Sequence, residues 1–221
     1  GMDFSLFYFA SDEASHEKNI YKLLIQGAKF ADEHNFTAVW TPERHFHAFG
    51  GPYPNPAVTG AALATITKRI QIRAGSVVVP LHDPIRVAEE WAVIDNLSNG
   101  RVALSFASGW HANDFVFSPE SYAKRHEVMF KNIEIIRSLW RGEAITRRDG
   151  GAGEIEVVIS PRPIQPELPI WITAAGSPKT FEKAGEMGAN LLTHLLGQSL
   201  EELKAKIDLY RAAWRRNHDG P

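Results

Sequence analysis

The sequence contains no cysteine among its 221 residues. This absence excludes a disulfide framework, thiolate metal sites and catalysis by a cysteine nucleophile. Charge of one sign is also lacking, because 24 Lys and Arg stand against 26 Asp and Glu, for a net charge of -2. The chain therefore has no overall basic character of the kind that attracts nucleic acid or anionic membranes, and we expect neither as a partner.

Long apolar runs and targeting signals are missing as well. No uninterrupted apolar stretch approaches the roughly 20 residues that a membrane span needs. The N-terminal "GMDFSLFYFA" lacks the basic start and small-residue cleavage site of a signal peptide. We expect a cytoplasmic protein. The hydrophobic content of 44% allows a sizeable core, and no repeat or linker marks a second domain, so residues 2–221 are predicted to form one domain.

Strand-like and helix-like patterns alternate along the chain. Predicted strands cover 4–9, 37–41, 70–79 and 102–106, and predicted helices cover 20–31, 56–68, 85–97 and a segment from about 122. The glycines in "EAITRRDGGAGEIEVV" lie between two β-leaning runs and predict a hairpin outside the main sheet. The segments "LPIWITAAGSPKTFEKAGEMG" and "ANLLTHLL", with a final helix, bring the count to six βα units.

Regular βα alternation predicts an α/β fold with a parallel sheet and right-handed crossovers. A doubly wound nucleotide-binding sheet carries a glycine fingerprint after its first strand, but the segment there is "FASDEASHEKN". We therefore favour a (β/α)8 TIM barrel. A complete barrel has eight units in about 250 residues, so six units predict an incomplete one.

Polar loops follow four of the predicted strands, and the ends of barrel strands are where catalytic side chains lie. The loop "TPERHFHAFGGPYPNP" places Glu43, Arg44 and His45 at the mouth of the barrel. The other three loops contain "GSVVVPLHDP", "SFASGWHANDF" and "TAAGSPKT".

His45 has two interpretations. It could act as a general base or as a donor to an anionic intermediate, oriented by Glu43, or it could pack the barrel mouth and bond a backbone carbonyl. Neither His45 with His47 nor His111 with Asp114 has a third ligand at a recognisable spacing. No metal site is predicted.

Gly176, Ser177 and Pro178 begin a predicted helix at the mouth. The free N–H groups of that helix, with the hydroxyls of Ser177 and Thr180, suit a phosphate. Equally, Ser177 could be only an N-cap followed by proline at the first helical position.

The loop after the fourth strand leaves similar alternatives open. Trp110 and Phe115 could stack on a planar ligand or cover the core, and Arg125 could bind a phosphate or lie on a solvated helix face.

Three long segments resemble the bacterial luciferase-like family of flavin-dependent monooxygenases, and most of all its members in nonribosomal peptide and polyketide assembly lines. The segments are "FTAVWTPERHFHAFGGPYPNPAVTGAAL", "RIQIRAGSVVVPLHDPIRVAEEWAVIDNLSNGRVALSFASGWHANDF" and "LPIWITAAGSPKTFEKAGEMGANLLTHLLGQSLEELKAKI". The resemblance implies a barrel that binds reduced FMN (FMNH2) at its mouth and uses O2 to oxygenate a natural-product intermediate, free or attached to a carrier protein. It also implies a separate flavin reductase and a homodimer. Relatives that use the deazaflavin F420, and a shortened relative that only binds flavin, provide two alternatives.

The resemblance also assigns roles to residues. It makes His45, Glu43 and Arg44 the candidate catalytic residues, with His45 handling a proton near the flavin. Arg44 stands where luciferases have a histidine, so light emission is not expected. Family members often have a non-prolyl cis peptide near Ser76 and Val77, beneath the flavin. The candidate cofactor-binding residues are Ser76, Val77, Ala107, Ser108, Gly109, Arg125, Ala175, Gly176, Ser177 and Thr180.

Overall fold

The structure, a computed structural model, describes residues 3–7, 20–46, 51–174, 176–193 and 198–218. Its strands are β1 (Ser5–Phe7), β2 (Ala38–Thr41), β3 (Gln71–Val78), β4 (Val102–Ala107), β5 (Ile145–Arg148), β6 (Glu154–Val157), β7 (Ile170–Thr173) and β8 (Asn190–Leu192). Its helices are α1 (Ile20–Glu33), α2 (Pro56–Ile66), α3 (Pro84–Leu97), α4 (Arg125–Trp140), α5 (Pro178–Glu186) and α6 (Leu200–Asn217).

Six strands form one parallel sheet in the order β1-β2-β3-β4-β7-β8. Neighbours in this sheet follow one another along the chain once the hairpin β5–β6 is set aside, which is the strand order of a (β/α) barrel. The sheet is curled, because Ser76 Oγ of β3 lies 2.5 Å from Thr173 Oγ1 of β7 although β4 separates the two strands. The prediction of an α/β fold with six βα units is confirmed.

The hairpin outside the main sheet is also confirmed. Strands β5 and β6 pair only with each other and run antiparallel. Asp149 fixes the turn, because its Oδ1 accepts the N–H groups of Gly151 and Gly153.

Three predicted helix boundaries are wrong by two or three residues. Helix α1 ends at Glu33 rather than at 31. Helix α4 begins at Arg125 rather than near 122, because Pro119–Ser121 form a separate 3₁₀ turn before it. Helix α2 ends at Ile66 rather than at 68, because the backbone at Thr67 is already extended. The strand predicted over 4–9 is observed over Ser5–Phe7, and its last two residues lie outside the described part of the chain.

Side-chain caps begin two helices at the carboxyl ends of strands. Asn55 accepts the N–H of Ala57 at 2.8 Å and precedes Pro56, the first residue of α2. Asp83 caps α3 in the same way, with Pro84 as the first helical residue. An acceptor at the N-cap and proline at the first position favour a helix start.

A buried arginine holds the opposite end of these elements. Arg101 is 9% exposed and donates to the carbonyls of Ser98, Ile70, Ala64 and Thr67 and to the Thr67 hydroxyl. Its planar guanidinium can serve so many acceptors at once. The contact joins the end of α2, the start of β3 and the start of β4.

The side of the sheet that faces away from the helices carries an aromatic stack. The Arg73 guanidinium lies 5.1 Å from the Trp40 ring and 5.3 Å from the Trp171 ring, distances typical of cation–π contacts. Phe7 stacks on Trp40 with ring centroids 5.2 Å apart. Phe7 is 44% exposed, so this inner face of the sheet is partly open.

Within the described ranges, no helix combines the length and apolar character that crossing a membrane requires.

Candidate active site

A buried glutamate connects the loops after β2 and β3. Glu43 is 2% exposed, and its Oε2 lies 2.5 Å from His45 Nε2 and 2.7 Å from His82 Nε2. Its Oε1 accepts the backbone N–H of Val78 at 2.8 Å. The two strands are parallel neighbours, so their carboxyl ends bring the three side chains together. We name Glu43, His45 and His82 the acid–base cluster.

The contacts within the acid–base cluster change the protonation of its members. Burial would raise the pKa of Glu43, but the hydrogen bonds from His45, His82 and Val78 hold it below its ordinary value. Burial would lower the pKa of His82, yet its hydrogen bond to the Glu43 carboxylate and the charge of that group raise it above the ordinary value. Glu43 is therefore ionised at neutral pH and accepts all three of its hydrogen bonds.

His82 is the functional candidate that sequence reasoning missed, because it lies 39 residues from Glu43 and forms no motif with it. By residue type the acid–base cluster suits a cation, since one ligand atom from each member lies within 4.8 Å of the others. However, tetrahedral ligands of one zinc ion lie about 3.3 Å apart, whereas these nitrogens lie 2.5 and 2.7 Å from the carboxylate oxygen. These separations are typical of hydrogen bonds. The absence of a metal stays a prediction.

Arg44 interacts electrostatically with two carboxylates, one of them in the acid–base cluster. It is half-buried, and its electrostatic partners are Asp114, from the loop after β4, and Glu43. Asp114 is 8% exposed, and its Oδ1 has no hydrogen-bond partner among the described residues. The position of Arg44 therefore links the β2 loop to the β4 loop beside the acid–base cluster. His47 lies outside the described residues.

Aromatic side chains surround His45. Its ring lies 5.0 Å from Phe117 and 5.4 Å from Phe46, and these two phenylalanines stack on each other at 5.8 Å. Both are more than half exposed. Of the two aromatics predicted either to bind a ligand or to cover the core, Phe115 is 2% exposed and covers the core, whereas Trp110 is 70% exposed.

The residues predicted to lie beneath the flavin are on β3. The peptide bond between Gly75 and Ser76 is cis, one residue before the Ser76–Val77 pair that the resemblance indicated, and β3 continues to Val78. Ser76 and Val77 are both buried. The Ser76 hydroxyl and that of Ser105 both contact Thr173 Oγ1, at 2.5 and 2.6 Å.

The predicted edge of the flavin site lies at the end of β4. Ala107, Ser108 and Gly109 are half-buried. Gly109 has a φ of 83°, and a Cβ there would lie 3.0 Å from Phe115 and from Val78, so this position requires glycine. The Arg125 guanidinium donates to Gly109 O at 3.1 Å, which braces the segment rather than leaving the arginine on a solvated face.

The predicted phosphate site lies at the start of α5. Ser177 occupies the N-cap position before Pro178, but its side chain makes no capping hydrogen bond. Gly176 is exposed and Thr180 is buried. Ala175 lies outside the described residues. The hydroxyl of Ser177 is thus not used by the helix that it precedes.

Together these loops define a curled α/β half-barrel with an acid–base cluster and a phosphate-compatible helix start at the carboxyl ends of its strands. The sequence pattern of the luciferase-like monooxygenase family matches residues 2–221, and the chain belongs to that family. The family comprises flavin-dependent monooxygenases and oxidoreductases.

Two curated relatives show the range of cofactors. The chain is 30% identical over 226 residues to the oxygenase component of the flavin-dependent trigonelline monooxygenase of Acinetobacter baylyi, covering 99% of this chain and 61% of the relative. It is 32% identical over 185 residues to the F420-dependent glucose-6-phosphate dehydrogenase of Amycolatopsis mediterranei, covering 80% of this chain and 54% of the relative. The chain thus spans less than two thirds of the length of these relatives.

Two solved structures share the fold. The monooxygenase RslO1 from Streptomyces bottropensis superposes with a TM-score of 0.87 at 26% identity, covering 98% of this chain and 67% of that one. The oxygenating constituent of 3,6-diketocamphane monooxygenase from Pseudomonas putida, in complex with FMN, superposes with a TM-score of 0.81 at 17% identity, covering all of this chain and 64% of that one. The predicted incomplete barrel of the luciferase-like type is confirmed. These relatives include one in complex with FMN and one that depends on F420, which are the cofactor that the resemblance implied and its alternative.

Proposed function

We propose that the protein is the oxygenase of a reduced-FMN-dependent monooxygenase and that His45 handles a proton in its reaction. The observation that carries this proposal is the position of β3 between two groups of side chains. Val78 bonds Glu43 of the acid–base cluster, and two residues earlier Ser76 bonds Thr173 of β7, whose loop leads to Ser177. Acid–base groups and a phosphate-compatible helix start therefore flank one stretch of strand.

Several residues fit FMN at this place. The helix start at Ser177 and Thr180 would hold the phosphate, and residues 107–109 would lie along the ring edge. Reduced FMN, when bound, supplies the electrons that activate O2. The chain's own contribution is to place His45 near the ring, to orient it through Glu43 and to exclude water with the aromatic residues beside it.

Anaerobic titration with FMN, reduced FMN and F420, followed by admission of O2, tests the proposal. We expect reduced FMN to bind and O2 to be consumed in a substrate-dependent way. Flavin binding without any turnover would support the second candidate, a non-catalytic flavin-binding protein. Binding of F420 alone would support an F420-dependent oxidoreductase, which the 32% identity to an F420-dependent dehydrogenase favours as an alternative.

We also propose the remaining features that the resemblance implied. They are an organic substrate from natural-product biosynthesis, free or carrier-bound, a separate reductase that supplies FMNH2, a cytoplasmic location and a homodimer. The named oxygenase component among the relatives supports the reductase. The sheet ends in β1 and β8, each paired on one side only among the described residues, and such edges favour association. Elution as a monomer at micromolar concentration would contradict the dimer.

The Ser177→Ala variant is expected to lower FMN affinity about tenfold, or about 1.4 kcal/mol, because it removes one hydroxyl donor to the phosphate. Its free energy of unfolding should change by less than about 0.5 kcal/mol, since the hydroxyl makes no capping bond. Fluorescence titration with FMN and urea denaturation measure the two effects.

The matched control is Ser199→Ala at the start of α6, where the serine hydroxyl does accept the N–H of Glu202. This variant should lose about 1 kcal/mol of stability and keep its FMN affinity. A Ser177→Ala protein that behaved like the control would remove Ser177 from the phosphate site.

A further inference from the structure

The proton count of the acid–base cluster follows from its hydrogen bonds. An ionised carboxylate has no hydrogen to donate, so the Nε2 atoms of both His45 and His82 must carry hydrogens toward Glu43 Oε2. A neutral His45 is then the Nε2–H tautomer, and its lone pair is on Nδ1. The geometry thus fixes which nitrogen of His45 can accept a proton.

The surroundings of the two histidines differ. The His82 side chain is 30% exposed, and together with Glu43 it lines a cavity of about 240 Å³, large enough for several water molecules. The His45 side chain is 7% exposed, does not line that cavity and contacts the rings of Phe46 and Phe117. A positive charge is therefore better solvated on His82.

The charged neighbours favour the same distribution. Glu90 of α3 faces His82 as a second carboxylate, and Arg86 of the same helix is held 3.6 Å from Glu90. The Arg44 guanidinium, which interacts with Asp114 and Glu43, places a further positive charge beside the carboxylate that both histidines contact. This charge opposes the presence of two positive charges on the histidine pair.

We propose that His82 is a positioning residue that carries the positive charge balancing Glu43, and that it thereby keeps His45 neutral, with Nε2–H bonded to Glu43 and the lone pair on Nδ1. The acid–base cluster then has charges of -1 on Glu43, +1 on His82 and 0 on His45. The catalytic use of this arrangement rests on the proposed function, in which the Nδ1 lone pair of His45 accepts a proton. The charge distribution itself is a property of the protein without cofactor.

Nitrogen-15 NMR of the imidazole rings in the cofactor-free protein tests the proposal, with the His45 signals assigned by their loss in His45→Gln. At pH 7 the wild-type protein should show His45 as the neutral Nε2–H tautomer and His82 as the charged ring. In His82→Gln, which keeps an N–H donor but loses the charge, the charged fraction of His45 should rise about tenfold, because a positive charge on His45 is then no longer opposed by one on His82 at the same carboxylate oxygen. His34→Gln, at an exposed position just after α1, is the matched control and should leave His45 unchanged.

Three results would overturn the proposal. They are a charged His45 beside a neutral His82 in the wild-type protein, a neutral His45 with hydrogen on Nδ1, or a His45 charge that does not respond in folded His82→Gln. The wild-type spectrum decides the matter even if the variant fails to fold. The NMR measurement contains no flavin. A protein that bound no FMN would therefore contradict the proposed function without changing the charges measured on His45 and His82.

Discussion

Replacing His45 with alanine is expected to reduce oxygenation about 10²–10⁴-fold, the range over which a positioned acid or base contributes to catalysis. The affinity for reduced FMN should stay within about twofold, because the phosphate-compatible residues lie on a different loop, after β7. The rate is measured as oxygenated product formed from an organic substrate that the wild-type protein turns over. FMN is reduced chemically, so that no reductase is needed.

The control for this variant is His34→Ala. His34 is exposed just after the end of α1, and its ring contacts only Phe30 among the side-chain contacts described, with Nδ1 lying 2.7 Å from the Phe30 carbonyl oxygen. This protein should turn over at the wild-type rate. Unchanged turnover in His45→Ala would show that His45 only packs the barrel mouth, which was the alternative interpretation of the sequence.

The Glu43→Ala variant is expected to lower the free energy of unfolding by about 3–5 kcal/mol, as when one partner of a buried ionic group is removed. The change leaves the Val78 N–H and the Nε2–H groups of His45 and His82 without their acceptor. Urea denaturation at pH 6 measures the loss. Glu33→Ala, at an exposed position at the end of α1, should change stability by less than about 0.5 kcal/mol.

The pH dependence of stability provides a second measurement on the same variant. The folded pKa of Glu43 is below its ordinary value of 4.5, so its contribution is present above that pH and is lost as pH falls through the folded value. The folded pKa of His82 is above its ordinary value of 6.5, so its contribution is present below that pH and is lost as pH rises through the folded value. The wild-type contribution is thus largest between about pH 4.5 and 6.5. In Glu43→Ala, the free energy of unfolding should lose both of these dependences on pH. A variant whose stability still fell as pH rose above about 6.5 would show that Glu43 is not the partner that raises the pKa of His82.

Local sequence patterns predicted the fold well, because buried parallel strands are apolar throughout and the helices between them are periodic. Strand β4, "VALSFA", is such a run except at Ser105, and its first five residues are buried. The beginning of α4 was predicted wrongly because a 3₁₀ turn at Pro119–Ser121 has the same short-range character as a first helical turn.

The site was predicted less completely, for a physical reason. Glu43 and His45 lie two residues apart, so the sequence could suggest that one orients the other. His82 comes from the loop after the neighbouring strand, and only the parallel pairing of β2 with β3 brings it to the same carboxylate oxygen. A histidine just beyond the end of β3 was the signal that could have revealed it. The unused hydroxyl of Ser177 likewise depends on backbone geometry that the "GSP" sequence does not specify.

The stack of Trp40, Arg73 and Trp171 lies on the inner face, so tryptophan fluorescence can be used to follow that face. Trp40 is 2% exposed, whereas Trp171 is half-buried beside the same guanidinium. Indole emission depends on the polarity and charge around the ring, so a ligand or polypeptide segment that covers the inner face will change the emission of Trp171 far more than that of Trp40. Two variants would therefore report when the open side of the barrel becomes covered. One keeps Trp171 and the other keeps Trp40 as the single tryptophan.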